Sequence, residues 1–202
     1  MHVVHVYKDV FPPVVGGIEK HIDGLRRAMP DVTSDVLVCA RARRTSSARV
    51  TTGLEVRVAE AGPRILSVPV APTFPLWLRR MEADLVHVHM PNPVGEAAAL
   101  VAGRGRPLVV SYHADIVRQA RLMPLYRPLA EACLDRAAAL VVGSRRLLHS
   151  SPLLGPRSSR AQVVPYAVDL ERLRPDAVSD EERAAVRRRF GGAPIVLAVA
   201  RL

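Results

Sequence analysis

The run His2-Val3-Val4-His5-Val6, the loop Pro12-Pro13-Val14-Val15-Gly16-Gly17 and the segment Ile18 to Met29 set the reading of this chain. The first piece is short, apolar and rich in β-branched residues, the pattern of a buried strand. In the third, Ile18, Ile22, Leu25 and Met29 recur at helical spacing, and Pro30 stops the helix. Strand, glycine-bearing loop and helix form the opening unit of an α/β domain.

The unit repeats outward. Val32–Cys39 predicts a second strand, and Arg41–Arg49, polar and basic, predicts a loop. Leu54–Val58 alternates apolar and charged residues, as a half-exposed strand does. Ile65–Val70 is another apolar run, and Phe74 to Met81 reads as a short helix. Strands are expected at Asp84–His89, Pro107–Tyr112, Leu140–Val142 and Gln162–Pro165. Helices are expected at Val94–Val101 and Leu125–Ala138, with a short one capped by Ser144. Asp169–Ala177 reads as a linker. Ser179 with Glu182 is a capping box for a helix to Phe190, Gly191-Gly192 ends it, and Ile195–Val199 begins one more strand. The alternation predicts a Rossmann-like, doubly wound, mostly parallel sheet.

Composition narrows the function classes. With 202 residues, 49% hydrophobic and 24% charged, the chain is an ordinary globular one. No apolar run nears the length needed to span a bilayer, and the first residues lack the pattern of a signal peptide. Cys39 and Cys133 stand far apart, which suits buried thiols in a reducing, cytoplasmic setting. The net charge is +10, yet Lys8 and Lys20 are the only lysines among 29 basic residues, a pattern of GC-rich coding. The charge also suits an anionic partner: a nucleotide diphosphate or acidic lipid headgroups. Nucleic acid fits poorly, because aromatics are only 4%.

Several residues carry possible chemistry. Gly16 and Gly17 open a helix where backbone amides and the helix dipole suit a phosphate, although neither a GxGxxG nor a Walker pattern is present. His87 and His89, two apart on a strand, share one face. With His113 and Asp115 they form a candidate metal set for a hydrolase, against the plainer reading of hydrogen-bonded core histidines. His113 ends its strand at the edge where open α/β sheets collect ligands, and the Gly16-Gly17 loop and the turn after His89 reach the same edge. The cluster Trp77-Leu78-Arg79-Arg80 reads either as a membrane-surface patch or as a core helix with exposed arginines. Arg187-Arg188-Arg189 reads as a solvated helix end.

Read together, these segments resemble the N-terminal half of a GT-B glycosyltransferase of the retaining family 4. Phe11-Pro12-Pro13-Val14-Val15-Gly16-Gly17-Ile18-Glu19-Lys20-His21 is similar to that family's F-P-P-x-x-G-G-I-E-x-H segment. Asp84-Leu85-Val86-His87-Val88-His89, with Pro91-Asn92-Pro93, resembles its histidine-bearing strand and following turn. Ser111-Tyr112-His113-Ala114-Asp115-Ile116-Val117-Arg118-Gln119 and Val163-Val164-Pro165-Tyr166-Ala167-Val168-Asp169 match two later segments. Val142-Gly143-Ser144 through Ser150-Ser151-Pro152 is similar to a branch that makes bacterial surface polysaccharides by mannosyl transfer. Tyr166-Ala167 departs from the common Asn-Gly, and Ala114 from a Ser.

The resemblance implies transfer of a hexose from a nucleotide-diphosphate sugar to a lipid-linked saccharide or glycan acceptor, with retention. It implies no covalent nucleophile and no metal or other cofactor. Gly16, Gly17 and Arg201 would approach the donor diphosphate, His113 would line the catalytic cleft, and His21, Asn92 and Asp115 would shape the acceptor side. The expected organisation is an acceptor-binding domain over 1–168, a linker over 169–178 and the start of a truncated donor-binding domain over 179–202, which by itself transfers no sugar. The expected location is cytoplasmic, at the inner face of the plasma membrane. The alternatives are the metal-dependent hydrolase and a non-catalytic membrane-associated module.

Overall fold

The computed structural model describes residues 1–103, 105–116, 120–166, 168 and 173–198. Its strands are β1 (His2–Val6), β2 (Thr33–Ala40), β3 (Ser46–Val50), β4 (Gly53–Ala59), β5 (Leu85–Met90), β6 (Leu108–Tyr112), β7 (Ala139–Val142) and β8 (Ala161–Val163). They form one sheet in the order β3-β4-β2-β1-β5-β6-β7-β8. Every pair is parallel except β3 with β4. The helices are α1 (Gly17–Ala28), α2 (Phe74–Arg80), α3 (Pro93–Ala102), α4 (Met123–Arg136), α5 (Arg145–Ser150) and α6 (Asp180–Arg189). This is the doubly wound, mostly parallel sheet that the alternation predicts.

The two faces of the sheet differ. On one, Val4, Val6, Leu37, Val56, Val86, Val88, Val110, Leu140 and Val142 meet Phe74, Leu78, Ala98, Ala99, Ala130 and Leu134 from α2, α3 and α4. Fully burying such a side chain contributes about 1.5–3 kcal/mol, so this face carries most of the stability. On the other, α1 lays Ile18 and Ile22 over Tyr7, Val36 and Val38. Beside that smaller cluster the same face turns polar, with His5, His87 and His89 buried on neighbouring strands. Phe74 and Leu78 lie wholly inside the core while Leu76, Arg79 and Arg80 are exposed, so α2 is a core helix with arginines outward.

Two expectations are corrected. Arg41–Arg49 is not all loop: Ser46–Val50 is an antiparallel edge strand, joined to β4 by a two-residue turn at Thr51-Thr52. Every residue of β3 is exposed, so it carries no apolar alternation to betray it, and charged, polar edge strands guard against mispairing. At the other end, residues 193–198 hold no strand, because among the described residues they have no ladder partner; Val196 is 98% exposed. Val199 lies outside the described residues.

The chain divides into two compact units, Met1–Tyr166 and Ala167–Leu202. The second contains a 3-10 turn at Pro175–Ala177 and α6, opened by the Ser179–Glu182 capping box and followed by Gly191 and Gly192 at positive φ. Residues 169–172 of the expected linker lie outside the described residues. Among the described residues, no helix is long and apolar enough to cross a membrane.

Candidate functional site

The strand order reverses between β1 and β5, whose immediate sequence neighbours lie on opposite sides. In an open parallel sheet, ligands collect outside the carboxyl ends of the strands at such a point. His5 pairs with His87 across it, and His89 stands beside Ser111 of β6. The strand period of two places all four side chains on one face.

There the side chains form a row. His5 Nδ1 lies 3.2 Å from His89 Nε2. His89 Nδ1 lies 3.0 Å from His113 Nε2, with the two rings stacked 5.2 Å apart. His113 Nδ1 lies 2.5 Å from the Tyr166 hydroxyl. His87 stacks on His89 at 4.3 Å, and its Nε2 is 2.8 Å from Ser111 Oγ. His21 of α1 sets its ring against Tyr166 at 4.7 Å and against His113 at 5.6 Å.

All these imidazoles are held neutral. Burial, aided by Arg26 and His21, lowers His5 to about 3, and burial with His21 and His87 lowers His113 to about 3. Burial also holds His87 and His89 well below the ordinary value and lowers His21. At neutral pH the row is therefore a chain of uncharged donors and acceptors.

The structure thus brings His21 and His113 together. Asn92 follows β5 as the N-cap of α3 and is only 1% exposed, so it faces the interior rather than a cleft. Its backbone amide donates to Glu96 Oε1 at 2.7 Å, while both polar atoms of its side chain are buried without a partner. Asp115 accepts from Tyr112 and Ser151 hydroxyls, each at 2.7 Å, and so ties β6 to the segment after α5. Gly16 caps α1, and a Cβ there would collide with the Glu19 carboxylate; Gly17 has open space around it. The positive end of α1 therefore already faces a carboxylate of its own chain. Arg201 lies outside the described residues.

Three members of the site carried no sequence signal strong enough to single them out. His5 was visible only as a histidine in a strand, because strand neighbours are not written in sequence. Ser111 had the same fault. Tyr166 was visible only as a departure from a pattern.

The proposed hydrolase set is not assembled: the nitrogens of His89 and His113 bond to each other, and Asp115 turns to Tyr112 and Ser151. His5, His87 and His89 do offer nitrogens within 4.8 Å of one another, and they are the residues that could hold a metal. Those nitrogens serve hydrogen bonds within the row and to Ser111. A concavity of about 800 Å³ lined by His2, Arg79, Glu82, Asp84 and Arg106 sits at the amino-terminal ends of β1 and β5, the opposite edge from the row.

A mostly parallel sheet with polar side chains gathered at its switch point is an open α/β domain of the kind that collects ligands at that edge. The sequence profile of Glycosyltransferase Family 4 matches residues 15–172, and the chain belongs to that family. It is 29% identical over 192 residues to O-antigen chain mannosyltransferase C of Escherichia coli, covering 92% of this chain and 50% of that protein. It is 30% identical over 179 residues to D-rhamnosyltransferase WbpZ of Pseudomonas aeruginosa, covering 84% and 45%. The chain therefore spans about half the length of these relatives.

Among solved structures, sucrose-phosphate synthase of Thermosynechococcus elongatus superposes with a TM-score of 0.66 at 13% identity, over 94% of this chain and 52% of that one. The Anabaena protein HepE, crystallised with UDP, gives 0.61 at 16% identity, over 95% and 50%. The shared architecture is that of a GT-B glycosyltransferase half.

Proposed function

We propose that this chain is the acceptor-binding half of a glycosyltransferase that moves a hexose from a nucleotide-diphosphate sugar to a saccharide hydroxyl, with retention. The observation that carries the proposal is the neutral, hydrogen-bonded row at the switch point, all of which but His5 lies within the family match. Neutral donors and acceptors suit sugar hydroxyls, and a fixed row orients them without reorganisation. His21 and His113 line this edge. Asp115 holds the end of β6 behind it and acts as a positioning residue, and Asn92 stands on the acceptor side at the start of α3. Gly17 and Arg201 are assigned to the donor diphosphate, with Gly16 setting the helix entry against Glu19. The reading needs no resident metal. HepE, crystallised with UDP and also with UDP-glucose, supports a nucleotide sugar as donor. The acceptor is taken to be lipid-linked or a glycan, approached at the inner face of the plasma membrane, by analogy with the O-antigen relative.

The test is a nuclear magnetic resonance titration of the 202-residue chain with methyl α-D-mannopyranoside and methyl α-D-rhamnopyranoside, the sugars named for the two relatives. Shifts concentrated at His21, His113 and the residues after β5 are expected. Binding confined to the opposite edge, or none at millimolar glycoside, would overturn the reading.

A further inference from the structure

His113 has no ring nitrogen left for a ligand. Its Nε2 faces His89 and its Nδ1 faces Tyr166. A ligand at this edge meets the phenol first: Tyr166 is 47% exposed, whereas His113 is half-buried with both ring nitrogens engaged and His89 is completely buried. The ring is seated deliberately. A Cβ on Gly143 would stand 2.8 Å from Tyr166 Cζ, so the glycine after β7 is what lets the phenol lie over the strand ends. His21 packs against its other side.

The direction of the row follows from its inner end. His5 Nε2 is buried with no partner. If the row donated inward, that nitrogen would carry a proton with no acceptor; if it donates outward, it is a bare lone pair. Among backbone groups an orphaned buried N–H is rarer than an under-satisfied acceptor, and the same preference is applied to the imidazole. The outward sense is then His5 Nδ1–H to His89 Nε2, His89 Nδ1–H to His113 Nε2, and His113 Nδ1–H to the Tyr166 oxygen. That oxygen accepts from the row, and the phenol proton is left over. Burial raises the Tyr166 pKa, so the proton stays in place at neutral pH.

We propose that Tyr166, rather than the imidazole of His113, is the group through which this row meets its ligand, donating its phenol proton to a saccharide oxygen while the three histidines behind it fix its position and polarity. This rests on the saccharide reading of the edge. Tyr166 is the contacting residue, and His5, His89 and His113 are positioning residues. The exposed ring adds an apolar surface for the C–H face of a pyranose, so one residue serves both halves of sugar recognition.

The experiment uses the 202-residue chain with ring nitrogens of histidine labelled, titrated with the two methyl glycosides named above. Tyr166→Phe keeps the ring and removes the hydroxyl, which is both the proton donor to the ligand and the acceptor for His113 Nδ1–H. Gly143→Ala keeps the phenol and displaces the ring. Both are checked for native amide spectra before titration. The expected result is glycoside binding at least about ten-fold weaker in each variant, with the imidazoles still neutral in Tyr166→Phe. Equal or tighter binding by Tyr166→Phe would overturn the proposal, since the phenol would then be only a cover over His113, and the saccharide reading would stand. No glycoside bound by the wild-type chain removes both together. Stoichiometric Zn²⁺ binding that displaces the His5–His89 hydrogen bond would overturn the row itself.

Discussion

Glu96 shows how finely a single residue is set at this edge. It is completely buried at the start of α3, accepts from the Asn92 amide and the Tyr126 hydroxyl at 2.7 Å each, and leaves Oε2 without a partner. Burial raises its pKa to about 7 against those two hydrogen bonds. The native state therefore holds a proton that the unfolded chain releases from about pH 4.5 upward, and the stability this gives is lost as pH rises to about 7. The histidines slope the other way. His5 and His113, held at about 3, are neutral in the native state, so stability falls as pH drops below about 6.5. Comparing Glu96→Gln with the wild type cancels the histidine slope. The Gln variant keeps both hydrogen bonds and cannot ionise, so it should match the wild type near pH 4 and exceed it by on the order of 3 kcal/mol at pH 8. Urea unfolding at the two pH values measures this, and a pH-independent difference would show that Glu96 does not titrate in this window. Residue identities alone marked His87, His89 and His113, because histidines on or just after a strand end are conspicuous. They could not mark Glu96, whose environment is made by α4 folding back over α3.

At the scale of elements, arginine does structural work that composition conceals. Arg136, at the end of α4, donates from Nη1 to Ala99 O and from Nη2 to Gly103 O, each at 2.6 Å. Those carbonyls close α3: Gly103 O is one that the helix terminus leaves open, and Ala99 O, which already accepts from the Gly103 amide at 3.1 Å, takes a second donor from the same planar fork. Arg106 does the same for α2 through Leu78 O and Met81 O at 3.0 and 2.9 Å. Arg136→Ala should cost about 2–4 kcal/mol, because buried carbonyls lose charged donors. Arg136→Lys should recover only part of that, since an ammonium cannot span both carbonyls. Thermal melts of the three proteins check the order, and full rescue by lysine would mean that charge near the helix end, not the fork, is what matters. The elements these arginines join were largely legible. β1, β5, β6 and β7 announce themselves as apolar runs buried on both faces, and α1 and α6 by spacing and caps. β3 was not legible, because an exposed edge strand of Ser, Ala, Arg and Val has no periodicity to read. Nor was the adjacency of β1 and β5, on which the role of His5 depends: pairing across the sheet is decided by packing between distant segments, which local pattern does not encode.

For the whole molecule, the +10 charge now divides into two kinds of arginine. Arg26, Arg106, Arg136, Arg157 and Arg160 donate to backbone carbonyls within Met1–Tyr166, and Arg64 clamps Asp9 and Glu60 at 2.6 and 2.8 Å. These hold the fold, and only the exposed remainder, such as Arg41, Arg43 and Arg44, can act on an anionic partner. Every member of the neutral row, from His5 to Tyr166, lies in the first compact unit, and the family match begins and largely ends there. The chain spans about half the length of its relatives. A saccharide edge can be complete within one α/β unit. A transfer reaction also requires stabilising the charge that develops on the departing diphosphate, and such electrostatic stabilisation is usually the largest single contribution to an enzyme's rate. On the proposed assignment of the row to a saccharide acceptor, the 202-residue chain should bind methyl mannoside through its row while leaving sugar nucleotides intact. Incubating it with GDP-mannose and UDP-glucose, with and without a mannose-terminated acceptor, and following free nucleotide diphosphate by chromatography tests this. Nucleotide release above the buffer control, dependent on acceptor and abolished by His113→Ala, would mean that these residues hold a full donor site and that the division of labour proposed for them is wrong.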